Sequence, residues 1–147
     1  MQNKGTQFLK NVTVLDFSHN LPGPYATLLL ASHGAQIIKI EPPSGDSART
    51  MPKLFALLNT GKKSIVLDFK KLEDRQKAKT LLKKTDVLVE SFRPGVMKKW
   101  GLDSEASLKE NNKLVYCSIT GYGQNGAWSK RPGHDLNFQA LSGSCYM

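Results

Sequence analysis

The chain has 147 residues, 39% hydrophobic and 22% charged, which fits one ordinary soluble domain and excludes disordered and fibrous classes. It is strongly basic, with 21 Lys+Arg against 12 Asp+Glu and a net charge of +9. The lysines nevertheless fall in pairs (Lys62-Lys63, Lys70-Lys71, Lys83-Lys84, Lys98-Lys99) spread over segments of different predicted type, so they read mostly as solvated surface, and no nucleic acid partner is expected.

The amino-terminal stretch MQNKGTQFLKN holds no long apolar run, and the longest apolar segment, 25–31, is too short to cross a bilayer. No membrane partner is expected. Cys117 sits in an apolar run and reads as a small buried hydrophobe, while Cys145 has no CxxC partner; two such thiols form no disulfide framework and suit a reducing, cytoplasmic setting.

In chain order, the β-branched run 12–17 predicts a buried strand that ends in a polar turn at Ser18-His19-Asn20. Pro22-Gly23-Pro24 breaks the chain, and a helix follows over 25–32, stopped by Gly34. A second strand, 36–41, is closed by Pro42-Pro43, and a loop over 44–51 leads to a short helix, 52–58. After the turn Asn59-Thr60-Gly61 come a strand over 64–69, a helix over 71–84 with Leu72, Ala78, Leu81 and Leu82 on one face, and a strand over 86–90. Arg93-Pro94-Gly95 opens a short helix to Trp100, a second helix runs from Ser104 to about Asn111, and the last clear strand is 114–119. Strands alternating with helices imply an α/β fold with an open, mainly parallel sheet.

Ligands of such sheets bind where strands turn into helices at their carboxyl ends. The loops there are 20–24, 42–49, 91–95 and 121–126, and none carries GxGxxG or GxxxxGK[ST]. In the last loop, Gly121 and Tyr122 allow backbone to approach a ligand closely, or form a plain turn. Arg93 and Lys98-Lys99 flank a helix start that favours a phosphate, or else a solvated basic helix. Lys62 and Lys63 admit the same two readings. His134-Asp135 has the residue types for proton transfer near neutral pH, and also fits a plain helix start capped by Asp135. His19 and His33 lack metal-ligand spacing with Cys or Asp, and no metal is expected.

Five segments stand in this order between Val12 and Gly143: DFSHNLPGPYATLLLASHGAQIIKIEPPSGD, NTGKKSIVLDFK, DVLVESFRPGVMKKWGL, LVYCSITGYGQNG and RPGHDLNFQALSG. Together they resemble the amino-terminal part of the family III CoA-transferases, which also hold the α-methylacyl-CoA racemases and carnitine-related CoA-transferases. The resemblance implies a Rossmann-like sheet whose loops bind coenzyme A, as acyl-CoA substrate. Arg93 and Lys99 match basic residues near the CoA phosphates, although racemase-type members carry arginine at the position of Lys99, whose ammonium lacks the bidentate fork. Lys62 and Lys63 match the basic pair after the Asn-containing turn, and Leu58 with Asn59 lies where the nucleotide end or its linker passes. Pro42 replaces an arginine that contacts CoA in some racemases.

By the same resemblance, His134 matches one of two acid/base groups that flank the α-carbon of an acyl-CoA thioester, with Asp135 its neighbour. The second group, an aspartate that is the acyl-accepting nucleophile in transferases, is implied beyond Met147. Residues 1–147 are therefore expected to form the CoA-binding amino-terminal domain of a longer racemase or transferase. Little turnover is expected from this chain alone, because racemisation needs a proton donor opposite the base. A homo-oligomer or companion chain is expected to supply the rest; a non-catalytic CoA-binding or interaction module is the reading from another class.

Overall fold

The computed structural model describes residues 7–146. Strands β1 (Thr13–Phe17), β2 (Gln36–Glu41), β3 (Lys63–Val66), β4 (Val87–Glu90) and β5 (Val115–Ser118) form one parallel sheet in the order β3-β2-β1-β4-β5. Helices α1 (Pro22–Ser32), α2 (Pro52–Asn59), α3 (Leu72–Leu82), α4 (Val96–Trp100) and α5 (Ser104–Glu110) lie between the strands in sequence, and α6 (Asp135–Ser142) follows the glycine-rich loop. This is the open α/β architecture that the alternation of elements implies.

Successive side chains on a strand point to opposite faces, so the central strand β1 feeds two layers. Leu15 and Phe17 join Ile40, Leu88, Ala78, Leu82 and Met97 in a core beneath α3 and α4. Val14 joins Ile37 and Val89 on the face that meets Leu30 and Ala31 of α1. Each fully buried Leu, Ile or Phe adds roughly 1.5–3 kcal/mol relative to exposure, which makes β1 the anchor for everything at its carboxyl end.

Four local expectations are corrected. Helix α1 begins at Pro22, three residues ahead of Tyr25, because a proline at the first helical position has its fixed φ already right and needs no N–H. Strand β3 stops at Val66: the Lys70 N–H donates to Asp68 Oδ1, and the Asp68 N–H to Asp74 Oδ2, which turns the chain away from the sheet. On α3 the buried row is Asp74, Ala78 and Leu82, so Leu72 faces outward at 79% exposure. Cys117 is exposed, since β5 is an edge strand and α1 packs chiefly over β1, β2 and β4.

Candidate functional site

The chain runs from β1 outward to β2 and β3, then returns to the other side of β1 for β4 and β5. The crevice of such a sheet opens where the order reverses, here between the ends of β1 and β4. Its two loops are tied together, the His19 N–H donating to Ser91 Oγ at 2.9 Å.

A cavity of about 470 Å³ opens at this point, lined by His19, Arg93, Thr120, Gly121, Tyr122 and Arg131 among others. Phe138 forms one side. A Cβ on Gly121 or on Gly133 would lie 2.5 or 2.7 Å from its ring, so the backbone approaches the aromatic ring as only glycine allows. The Tyr122 ring meets Phe138 at 5.4 Å and Trp128 at 5.7 Å, and the Arg131 guanidinium lies 4.9 Å from the Trp128 ring centre.

A neighbouring cavity of about 570 Å³ spans the ends of β1, β2 and β3. Its aromatic lining is a continuous stack: Phe69 on Trp100 at 4.4 Å, Trp100 edge-on to Phe92 at 5.0 Å, and Phe92 edge-on to His19 at 4.9 Å. Lys70 and Arg75 add positive charge to the same lining. His19 and Phe92 border both cavities, which therefore lie side by side. The second cavity thus has an aromatic wall with two basic side chains, Lys70 and Arg75, and two acidic ones, Glu41 and Asp68, in its lining, the mixed apolar and polar character of a ligand pocket.

Beneath the loops lies a bed of buried charge on the α1 face of the sheet. Asp16 Oδ1 accepts from the Ser18 N–H at 3.0 Å and from the Ser18 hydroxyl, and Oδ2 accepts from Thr27 Oγ1 at 2.6 Å and Lys62 Nζ at 3.1 Å. Lys39 Nζ donates to the Ser18 carbonyl and pairs with Asp46 Oδ2, both at 2.8 Å. Arg49 grips Glu41 with two bonds of 2.7 and 2.8 Å. Gly23 closes the bed, because a Cβ there would lie 2.1 Å from Ser18 Cβ.

These surroundings set the protonation of the groups. The Arg49 fork holds the Glu41 carboxyl down at about 2. Burial lowers the pKa of Lys62, with Asp16 opposing, and likewise that of His19, with Asp46 opposing. Burial raises Asp46, yet the hydrogen bond from Lys39 and those from the Ala48 and Asn20 N–H groups carry it below its ordinary value. His19 Nδ1 stands 4.0 Å from Asp46 Oδ2.

Arg93, Gly121 and Tyr122 come together around the first cavity. His134 and Asp135 are exposed at the start of α6, between Gly133 and Phe138, both of which line that cavity. His134 itself occupies the cap position, its N–H donating to Asn137 Oδ1 at 2.9 Å, and Asp135 is the first helical residue, its Oδ2 accepting from Gln139 Nε2. Leu58 is 2% exposed in the interior, and Asn59 donates from Nδ2 to the Phe55 carbonyl at 2.9 Å while its Oδ1 is buried without a donor. Lys63 and Lys99 are exposed.

Lys62 is different. Its side chain is 1% exposed, and it donates to Asp16, to the Pro24 carbonyl at 2.8 Å and to Thr27 Oγ1 at 2.7 Å. An ammonium has three N–H donors, and all are engaged inside the fold. The sequence reading missed Lys39, Asp46 and the Asp16 cluster; the available signal was charge at alternate positions of otherwise apolar strands, Asp16 in TVLDF and Lys39 in QIIKIE. It also passed over His19, which borders both cavities.

The fold defines an open, doubly wound α/β protein with a cavity at the β1/β4 reversal. The chain belongs to CoA-transferase family III, whose family model matches residues 9–147. It is 43% identical over 138 residues to the acetyl-CoA:oxalate CoA-transferase of Acetobacter aceti, covering 88% of this chain and 36% of that protein. To human α-methylacyl-CoA racemase it is 37% identical over 137 residues, covering 92% of this chain and 34% of the relative. A solved CAIB/BAIF family protein from Brucella suis superposes with a TM-score of 0.89 at 36% identity, over 92% of this chain and 39% of that one. The chain thus spans about a third of the length of the curated relatives it matches. Among the described residues no helix is long and apolar enough to cross a membrane.

Proposed function

We propose that this chain binds the CoA part of an acyl-CoA and carries one of the two groups that act on its acyl end. The observation that supports this reading is the pair of adjacent cavities that share His19 and Phe92, one aromatic with Lys70 and Arg75 beside it, the other walled by glycine backbone, Arg93 and Arg131. The adenine ring suits the aromatic wall of Phe69, Phe92 and Trp100, the phosphates suit the basic side chains, and the thioester arm then runs past Phe92 toward Gly121 and Tyr122. His134, next to the lining residue Gly133, is the acid/base candidate. It takes a proton from the α-carbon while a carboxylate from the opposite side returns one, and that carboxylate comes from a companion chain or a longer form of this one. Two exposed, unpaired thiols suit a reducing cytoplasm.

CoA transfer between carboxylic acids is the second reading, favoured by the 43% identity to a CoA-transferase. In that chemistry the companion carboxylate is the nucleophile that takes the acyl group. The two readings part on one assay. With the companion segment supplied, α-proton exchange into deuterated water that His134→Asn abolishes supports racemisation, whereas CoA exchange between two acids with no α-exchange supports transfer. Binding comes first: CoA is expected to quench Trp100 fluorescence saturably, with Arg93→Ala weakening the interaction and duplex DNA not competing. No saturable quenching or heat signal with CoA at millimolar concentration refutes the binding reading.

A further inference from the structure

We propose that Glu90 is a positioning residue, which from the end of β4 holds the Phe92–Arg93 turn and the glycine-rich loop at a fixed separation across the first cavity. The inference rests on the CoA-binding reading for its consequence and on the ligand-free fold for its mechanism.

Glu90 is 2% exposed, although it is a carboxylate at a strand end. Oε2 accepts from the Phe92 N–H at 2.9 Å, which fixes the turn that carries Arg93. Oε1 faces Gln124 Nε2 at 3.4 Å, in the loop that presents Gly121 and Tyr122. Arg93, Gly121 and Tyr122 are walls of the first cavity, so one side chain touches both loops that line it. Among the described residues no basic side chain pairs with Glu90 within 4.0 Å. A separate space of about 270 Å³ beside it is lined by Arg93, Lys98, Asp103 and Tyr116, the charged and titratable groups on this side.

Burial pushes the Glu90 pKa up, against the Ser118 hydrogen bond and the Phe92 N–H. A buried carboxylate with no cation is a costly way to fill space. It is an effective way to join two loops, because an ionised carboxylate accepts on both oxygens at once and hydrogen bonds to it are the stronger kind. A residue serving the fold alone and one serving the site therefore predict opposite results on removal.

The test is Glu90→Met, of similar length and without acceptors, beside Glu90→Gln, which keeps an acceptor for Phe92. Hydrogen exchange is measured on the ligand-free proteins, followed by thermal unfolding and CoA titration. For Glu90→Met the expected result is faster exchange of the Phe92 amide and of amides 120–126, an unchanged or higher Tm, and CoA affinity lower by about tenfold, the worth of one charge-assisted hydrogen bond. Glu90→Gln is expected to fall between it and the wild type. Unchanged loop exchange overturns the proposal, and so does a loss of affinity that only parallels a loss of Tm. Should Glu90→Met not fold, exchange in Glu90→Gln decides alone. If the wild type binds no CoA, the binding reading fails while the exchange data still decide the role of Glu90.

Discussion

Replacing Lys62 by methionine tests whether this lysine is a strut or a ligand. Its ammonium sits against Asp16, which is 0% exposed. Removing one partner of a buried pair costs about 3–5 kcal/mol, because the other charge stays behind unpaired. Asp16 would keep the Ser18 N–H, the Ser18 hydroxyl and Thr27 Oγ1, so the lower end applies, about 3 kcal/mol. Domains of this size have roughly 5–15 kcal/mol in total, and at about 2–4 °C per kcal/mol the Tm should fall by about 10 °C. Lys63→Met, one residue on and exposed, should stay within about 0.5 kcal/mol of wild type. Adding Asp16→Asn to Lys62→Met should recover about half of the loss or more, since the stranded charge is gone. Urea and thermal unfolding of the four proteins supply the numbers. The reasoning is refuted if Lys62→Met unfolds within about 2 °C of wild type, a shift worth under 1 kcal/mol, or if its main effect is a salt-dependent loss of CoA affinity at unchanged stability.

Gly23→Ala should destabilise by about 2–3 kcal/mol or more, because the new methyl meets Ser18 Cβ at 2.1 Å and the backbone must move; a denaturation midpoint equal to wild type would contradict this packing. Glu41 has a folded-state pKa of about 2 against an ordinary 4.5, so its stabilisation is complete above pH 4.5 and is lost as pH falls through about 2. Arg49→Ala should flatten that acid limb in a series of unfolding curves, while stability at pH 3 identical to that at pH 6 in the wild type would count against the pair. A thiol reagent should label both Cys117 and Cys145 quickly in the native protein, as both are exposed; slow labelling of Cys117 would place it back in the interior.

Much of the architecture was legible from local rules. Apolar strands of four to six residues, separated by helices with recognisable stops, dictated an open parallel sheet, and the loops singled out at the strand ends line the cavities there. Segments with several motifs in fixed order likewise pointed to the family, which the match over residues 9–147 establishes. Two of the errors were of boundary, at the start of α1 and the end of β3; the other two were of burial. Cys117 and Leu72 were assigned to the interior from their apolar character, but whether an apolar residue is covered depends on which element lies over it, and both are exposed, one on an edge strand and one at the start of α3.

The sequence by itself determined which segments form strands and helices and which loops stand at the strand ends, because period, capping and turn chemistry are short-range and act on neighbours in the chain. Tertiary structure alone decided the fate of the charged side chains. Asp16 and Lys62 lie 46 residues apart and meet in the interior, and Glu90 and Gln124 lie 34 apart and face each other beside the cavity. Lys62 and Lys63 look alike in the chain; Lys62, just ahead of β3, reaches inward to a buried carboxylate, while Lys63, the first residue of β3, stays in solvent. A charge within an apolar strand marks Asp16 and Lys39 for burial, but the partner each one meets is set by long-range packing, which no local pattern encodes.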